Sequence, residues 1–399
     1  MEIREARKLG VEASVGRADF PAIMERMRAI VKRSHDRIRE SLEKAKDIDF
    51  YPGEARFTGD HTLEVNGASF KGEAIFLVSG ARPFIPPIQG IEQVPFLTNE
   101  SALQLRDLPA SMIIVGGGYI AVEFAHFFEA MGTEVTIIQK NQRLVPDEEP
   151  EISELLRQSL SRRMTVHTGA EAVEARMDGG KIAVRSRSGK NSIETTADTL
   201  LLAAGRKSNA DLLEVEKTGV KTDARGYIVV DEYFETTNKG IWSFGDAIGK
   251  KMFRHVANHE SELAWHNAVH GKKSRMNYLT VPHAVFSWPE IASVGLREEE
   301  AVRAMGKEQV LVGTAHYSDV ARGEAMLETE AFTKAVVHRK SGKVLGYHII
   351  GPQASVLIQE VVNAMAGDGN LWSVAKGIHI HPALSEVVLK AFAKLQERA

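Results

Sequence analysis

The sequence predicts an α/β chain built on doubly wound parallel sheet and closed by a separate, strand-rich α+β segment. Three observations carry this. A strand, a Gly-rich turn, a helix and a second strand follow one another between Ser111 and Lys140. Several continuous apolar runs end in glycine, as fully buried parallel strands do at their crossovers. From about Val281 the pattern turns into alternating strands and helices, which marks a domain of its own.

Composition narrows the classes. At ~150 residues per domain, 399 residues suggest two or three domains. Lys+Arg number 50 against 53 Asp+Glu, a net charge of -3 that gives no reason to expect nucleic acid or an anionic membrane as partner. With 43% hydrophobic and 26% charged residues, the chain is neither disordered nor fibrous. No apolar run reaches the ~18–20 residues of a membrane span. The opening MEIREARKLG has no apolar signal region, so the cytoplasm is the default location. The cysteine count is zero, which excludes disulfides, thiolate-held zinc, iron–sulfur clusters and any thiol nucleophile supplied by these residues.

Residues 17–47 carry Phe20, Ile23, Met24, Met27, Ile30, Val31, Ile38 and Leu42 at helical spacing, predicting one long helix that covers a core or a subunit seam. From Asp49 the period changes to two, broken by Pro-Gly, Thr-Gly-Asp and Asn-Gly, which predicts a small antiparallel meander. EAIFLVSG (73–80) reads as a buried parallel strand, and ARPFIPPIQG (81–90), with three prolines, as an irregular linker. After the central βαβ unit come a helix at 150–163, short strands to about 200, the buried run TLLLAAGR (199–206) and a helix near 253–270. The last segment contributes strands in AVFSWPEIASVG, AFTKAVVHRK and GKVLGYHIIG and helices at 354–366 and 383–396.

The chemistry begins with Gly116-x-Gly118-x-x-Ala121, which closes one strand and opens a helix. The first glycine permits the tight turn, the second lets backbone approach a pyrophosphate, and the small Ala121 lets helix pack on strand. The helix N-terminus then offers free N–H groups to phosphates. At the end of the next strand, an acid would favour NAD and a nearby cation NADP. The position is Gln139, followed by Lys140 and Arg143, which leans toward NADP; a solvated charge cluster is the alternative. Ser79-Gly80, Gly205-Arg206 and Gly245-Asp246 each place glycine at the end of an apolar run, where a ligand needs close backbone approach. Near the C-terminus, His381-Pro382-Ala383-Leu384-Ser385-Glu386 places Pro382 in a first helical turn and brings Glu386 back toward His381, as a general acid/base requires. His379, on a strand, would face the opposite way. His316, Tyr317 and Arg322 are expected in a loop, solvated or at a subunit contact. His255 and His259 have metal-binding spacing but no third ligand in view.

In order, VSGARPFIPP, GGGYIAVEFA, LLAAGRKSNADLL, TTNKGIWSFGDA, PEIASVG and HPALSE resemble the FAD-dependent pyridine nucleotide–disulfide oxidoreductases, of the dihydrolipoamide dehydrogenase, mercuric reductase and glutathione reductase type. The resemblance spans essentially the whole chain. It implies two Rossmann-like nucleotide-binding domains, the first lacking its N-terminal βα unit, and a C-terminal α+β dimerisation domain. The expected division is 1–107 partial FAD-binding, 108–226 NAD(P)-binding, 227–279 return segment of the FAD-binding domain and 280–399 dimerisation. Gly116, Gly118 and Ala121 would bind NAD or NADP, with Glu123 near the nicotinamide. Asp246 would bind FAD, and the helix around His255, Ala257 and Glu260 would point its N-terminus at the flavin. His381 and Glu386 would form an acid/base pair delivered across a homodimer interface to a small-molecule or protein-bound disulfide.

The family's first GxGxxG loop and its CxxxxC redox pair do not occur in these residues. In a doubly wound sheet the first strand is central, so its neighbours would be left with unpaired groups at ~1–3 kcal/mol each, against a total stability of ~5–15 kcal/mol. The expectation is an N-terminally truncated or misassigned reading of a longer reductase. Two other readings stand beside it: a non-catalytic, dimerising nucleotide-binding remnant, and a thiol-independent NAD(P)H diaphorase.

Overall fold

The computed structural model describes residues 2–397. They divide into two compact units, one of residues 22–84 and 205–277, the other of residues up to 21, 85–204 and 278 onward.

In the first unit the predicted long helix runs over Phe20–Lys44, all but its first two residues lying in the unit. Its apolar stripe is only partly used. Met24 is buried, while Ile30, Val31 and Ile38 are each more than half exposed, so core covering is limited to the first turn. The meander is present as Ala55–Gly59, Thr62–Val65 and Ala68–Lys71, all antiparallel. Ile75–Leu77 pairs in parallel with Ile241–Ser243, and Phe76 stacks between Trp242 and Trp265 at 5.8 and 6.0 Å. One expectation fails nearby. Residues 81–90 are not wholly irregular, because Ala81–Pro83 pairs antiparallel with Arg206–Ser208. Pro83 tolerates this at the margin of a two-stranded ribbon, where its missing N–H breaks no central ladder.

In the second unit a parallel sheet has the order Thr199–Leu202, Ser111–Val115, Glu134–Gln139, Thr165–Thr168. All five residues of Ser111–Val115 are buried, as expected for a central strand. Helix Tyr119–Met131 crosses between the first two strands and buries Ala121, Val122, Ala125 and Phe128. Glu171–Asp178, Lys181–Ser188 and Asn191–Ala197 form a three-stranded antiparallel sheet, and from residue 282 onward comes a six-stranded antiparallel sheet in the order Pro282–Val285, Ile291–Gly295, Val344–Ile350, Phe332–His338, Val310–His316, Gln396–Glu397. Helices Ala354–Ala366 and Glu386–Ala393 pack on it through Leu357, Val361, Val387, Val388 and Phe392. Tyr317, expected in a solvated or subunit-contact loop, is wholly buried and donates its hydroxyl to the Pro352 carbonyl at 3.0 Å; an aromatic body this large is worth most inside.

A buried ionic cluster joins the start of helix Pro150–Ser161, which connects Glu134–Gln139 to Thr165–Thr168, to the antiparallel sheet. Lys334, on an otherwise apolar strand, lies 3.0 Å from Glu149, 2.7 Å from Glu298 and 3.1 Å from Glu151. Next to it Glu148 accepts from His283 at 2.5 Å and from the Ser293 hydroxyl at 2.6 Å. Burial alone would push the Glu148 carboxyl up, yet the hydrogen bonds and charges of His283, Ser293 and His348 together hold it below its ordinary value. A depressed carboxyl stabilises the fold above its unfolded pKa, and that stability is lost as pH falls through the folded one.

Removing one partner of such a cluster leaves buried charge uncompensated, at a cost of about 3–5 kcal/mol. Lys334→Met should therefore lower the unfolding free energy read from denaturant titration by about 3–5 kcal/mol, with a lower midpoint. An unchanged midpoint would count against the cluster's role.

Candidate functional site

The Gly116–Ala121 turn is built as the dinucleotide fingerprint requires. Gly116 has φ 125°, and a Cβ there would lie 2.2 Å from the Ala203 carbonyl oxygen, so only glycine fits. At Gly118, the residue capping helix Tyr119–Met131, an added Cβ would meet nothing within 4 Å. The first glycine is thus demanded by the protein and the second leaves room for a ligand. Glu123, one turn into the helix, accepts from the Phe286 N–H at 2.9 Å; burial raises its carboxyl, partly offset by that bond. Gln139 is buried and turned inward. Its amide donates to the Arg143 carbonyl at 3.2 Å, and its stem fills the space a Cβ on Gly117 would need. Lys140 is ion-paired with Glu171 at 2.7 Å, while Arg143 is exposed.

The flavin-site candidates share the other unit. The Ser79 carbonyl accepts from Asn209, but its hydroxyl is buried with no hydrogen-bond partner. Added Cβ atoms on Gly80 and Gly205 would meet open space. Arg206 donates to the Ala81 carbonyl and lies 3.5 Å from the Asp246 carboxylate. Helix Arg254–His270 begins just beyond, with His255 stacked on Phe253. Ala257 packs against Gly245, whose N–H donates to the fully buried Glu260 at 2.7 Å. Glu260's role escaped the sequence, because its partner lies 15 residues upstream in a turn. An orphaned buried hydroxyl, two open glycines and an accessible carboxylate form a donor set that suits a dinucleotide, so these residues fit flavin binding.

His381 and Glu386 meet as predicted, by a different local structure. Helix Glu386–Ala393 starts four residues after Pro382, which is not in its first turn. Glu386 Oε1 accepts from His381 Nδ1 at 2.9 Å and Oε2 accepts from the Ala383 N–H at 3.0 Å. The Ala383 N–H, then His381, hold the Glu386 carboxyl below its usual value. His381 is mostly exposed. His379 is on no strand: its neighbours form an irregular connection, and it bonds Glu360 at 3.1 Å. His316 ends strand Val310–His316 and Arg322 lies on helix Ala321–Ala325.

A Gly-rich turn of dinucleotide-fingerprint geometry and a carboxylate-oriented imidazole suit a nucleotide-dependent enzyme with acid/base chemistry. Comparison sharpens the class. Residues 4–270 match the model of the pyridine nucleotide-disulphide oxidoreductase family, and residues 281–392 match its dimerisation domain. Mycothione reductase of Mycobacterium tuberculosis is 34% identical over 99% of this chain and 87% of its own length. Dihydrolipoyl dehydrogenase of Synechocystis is 32% identical over 97% and 85%. The Cu(II) complex of the HOCl-induced flavoprotein disulfide reductase RclA from Escherichia coli superposes with a TM-score of 0.84, at 27% identity, over 98% of this chain and 87% of that one. The chain belongs to the pyridine nucleotide-disulphide oxidoreductase family, whose members are oxidoreductases using FAD and NAD(P)H. Among the described residues no helix is long and apolar enough to cross a membrane.

The two glycines separate by test. Gly118→Ala should leave the thermal midpoint unchanged while weakening NAD(P)H binding at least tenfold by equilibrium titration. Gly116→Ala should lose both, since the strained turn costs ~1–3 kcal/mol. Equal behaviour of the two variants would contradict the assignment.

Proposed function

We propose that this protein moves a hydride from NAD(P)H to FAD and passes the electrons toward a disulfide, with His381 as proton donor to the departing thiolate. One observation carries the acid/base role: both oxygens of Glu386 are spent, one on His381 Nδ1 and the other on the Ala383 N–H. This fixes the proton on Nδ1 and leaves Nε2 as the working atom. Gly116, Gly118 and Ala121 hold the nicotinamide dinucleotide, with Glu123 beside its reactive ring. Ser79, Gly80, Gly205, Arg206, Gly245, Asp246, His255 and Ala257 hold FAD, which when bound accepts the hydride and releases electrons. Because Lys140 is engaged by Glu171, Arg143 is the cation left for a 2′-phosphate, which favours NADPH over NADH. The cysteine count of zero means that thiols come from outside these 399 residues.

The proposed domain division is 1–107 and 227–279 for FAD, 108–226 for NAD(P) and 280–399 for pairing of two copies, with residues 205–226 packing in the same unit as 22–84 and so serving the FAD side. A homodimer delivers His381 to the partner's redox centre, in the cytoplasm. Exposed Val356, Trp372, Ile378 and Ile380 on the dimerisation domain support such pairing.

The test is a turnover split. In the FAD-loaded protein, His381→Gln should slow NADPH-driven reduction of an added disulfide by ~10²-fold or more, the usual worth of a positioned acid. Reduction of a quinone dye, which needs no thiolate protonation, should stay within twofold. Equal loss on both acceptors would remove His381 from the acid/base role, and equal retention would favour thiol-independent diaphorase chemistry.

A further inference from the structure

The connection that carries His381 has almost no backbone support. Helix Trp372–Ala375 ends just before it and helix Glu386–Ala393 begins just after. Among the described residues no backbone-to-backbone hydrogen bond involves residues 378–383. Ile378 is fully exposed and Ile380 is 77% exposed, so apolar packing within this chain does not hold the segment either. From 376 to 382 His379 is the one residue that is not exposed. Its imidazole reaches Glu360, in the middle of helix Ala354–Ala366.

Proton counting at this contact is restrictive. His379 Nδ1 lies 3.0 Å from the Gly377 carbonyl oxygen, which only accepts, so Nδ1 carries a proton. Nε2 lies 3.1 Å from Glu360 Oε2. A neutral imidazole protonated on Nδ1 offers a lone pair there, and an ionised carboxylate would oppose it with another. One more proton therefore belongs on the Nε2–Oε2 line. The second carboxyl oxygen, Glu360 Oε1, is buried with no hydrogen-bond partner. A full negative charge spread onto that atom would be unsolvated, whereas the carbonyl oxygen of a neutral acid is tolerated at less cost. Burial also raises the Glu360 carboxyl, against opposing contributions from His379. The other titratable groups bearing on the pair are Glu386, which acts on His379, and the wholly buried Tyr347, which senses Glu360; its hydroxyl is occupied by Thr333 and the Val388 carbonyl.

We propose that Glu360 is a neutral carboxylic acid that donates Oε2–H to His379 Nε2, and that this neutral pair is the peg positioning the segment on which His381 meets Glu386. His379 and Glu360 are thus positioning residues; neither touches substrate. The inference deepens the acid/base assignment of His381 and rests on it for its functional meaning, but its test does not read turnover.

The test uses the full chain with nitrogen-15 labelled histidine, observed by NMR at neutral pH. The expected wild-type pattern is a proton on Nδ1 and none on Nε2 in both His379 and His381. Glu360→Gln is the isostere of a neutral acid: its amide N–H replaces Oε2–H and its carbonyl replaces Oε1. It should leave both patterns unchanged. Glu360→Ala and His379→Ala should each cost His381 its Nδ1-protonated signal, in favour of the Nε2-protonated form that a freely moving imidazole prefers. A Glu360→Gln variant that disturbs His379 as much as Glu360→Ala does would overturn the neutral acid. A His381 pattern unmoved by either alanine variant would overturn the positioning role. Failure of the acid/base reading appears instead in the turnover split, with the NMR patterns intact.

Discussion

The ammonium of Lys334, buried among Glu149, Glu298 and Glu151, is the contact on which the catalytic half of this protein depends. It sits on strand Phe332–His338, the fourth of six in the antiparallel sheet. One residue before it, on the opposite face, Thr333 receives the Tyr347 hydroxyl and reaches the Val387 carbonyl of the helix that bears Glu386. One strand therefore grips helix Pro150–Ser161 of the nucleotide-binding sheet on one face and the acid/base helix on the other. The cost is that every charge must stay paired.

The same economy of geometry governs the nucleotide turn. Gly116 is required by the Ala203 carbonyl, a protein atom, while Gly118 faces open space. That difference separates a structural glycine from a ligand-facing one, although both belong to one sequence motif. The acid/base pair shows a related division of labour. Glu386 spends both oxygens locally, so orientation of His381 is settled before any substrate arrives, while the segment bearing it hangs on the His379–Glu360 contact.

Much of this was legible in the sequence. The βαβ unit, the meander and the pairing of His381 with Glu386 follow from short-range periodicity, turn chemistry and motif spacing, and the structure has all of them, whereas the run 73–80 is strand only at Ile75–Leu77 and leaves Val78 exposed. What escaped depends on long-range placement. Strand Ala81–Pro83 exists only because Arg206–Ser208 returns beside it. Tyr317 reads as polar but buries its ring beneath the sheet's helices. Lys334, in AFTKAVVHRK, is a cation inside an apolar strand, a visible anomaly, and two of its partners lie some 180 residues away. Pro382 looked like a helix start, yet the chain needs four more residues to turn Glu386 back onto His381.

The central claim is that these residues hold a flavin as well as a nicotinamide nucleotide, and the visible absorption spectrum of the natively purified chain, titrated with FAD, tests it most directly. The account predicts isoalloxazine bands, retained on purification or restored at one FAD per chain, that bleach on adding NADPH. A colourless protein that still binds NAD(P)H and takes up no flavin would contradict it.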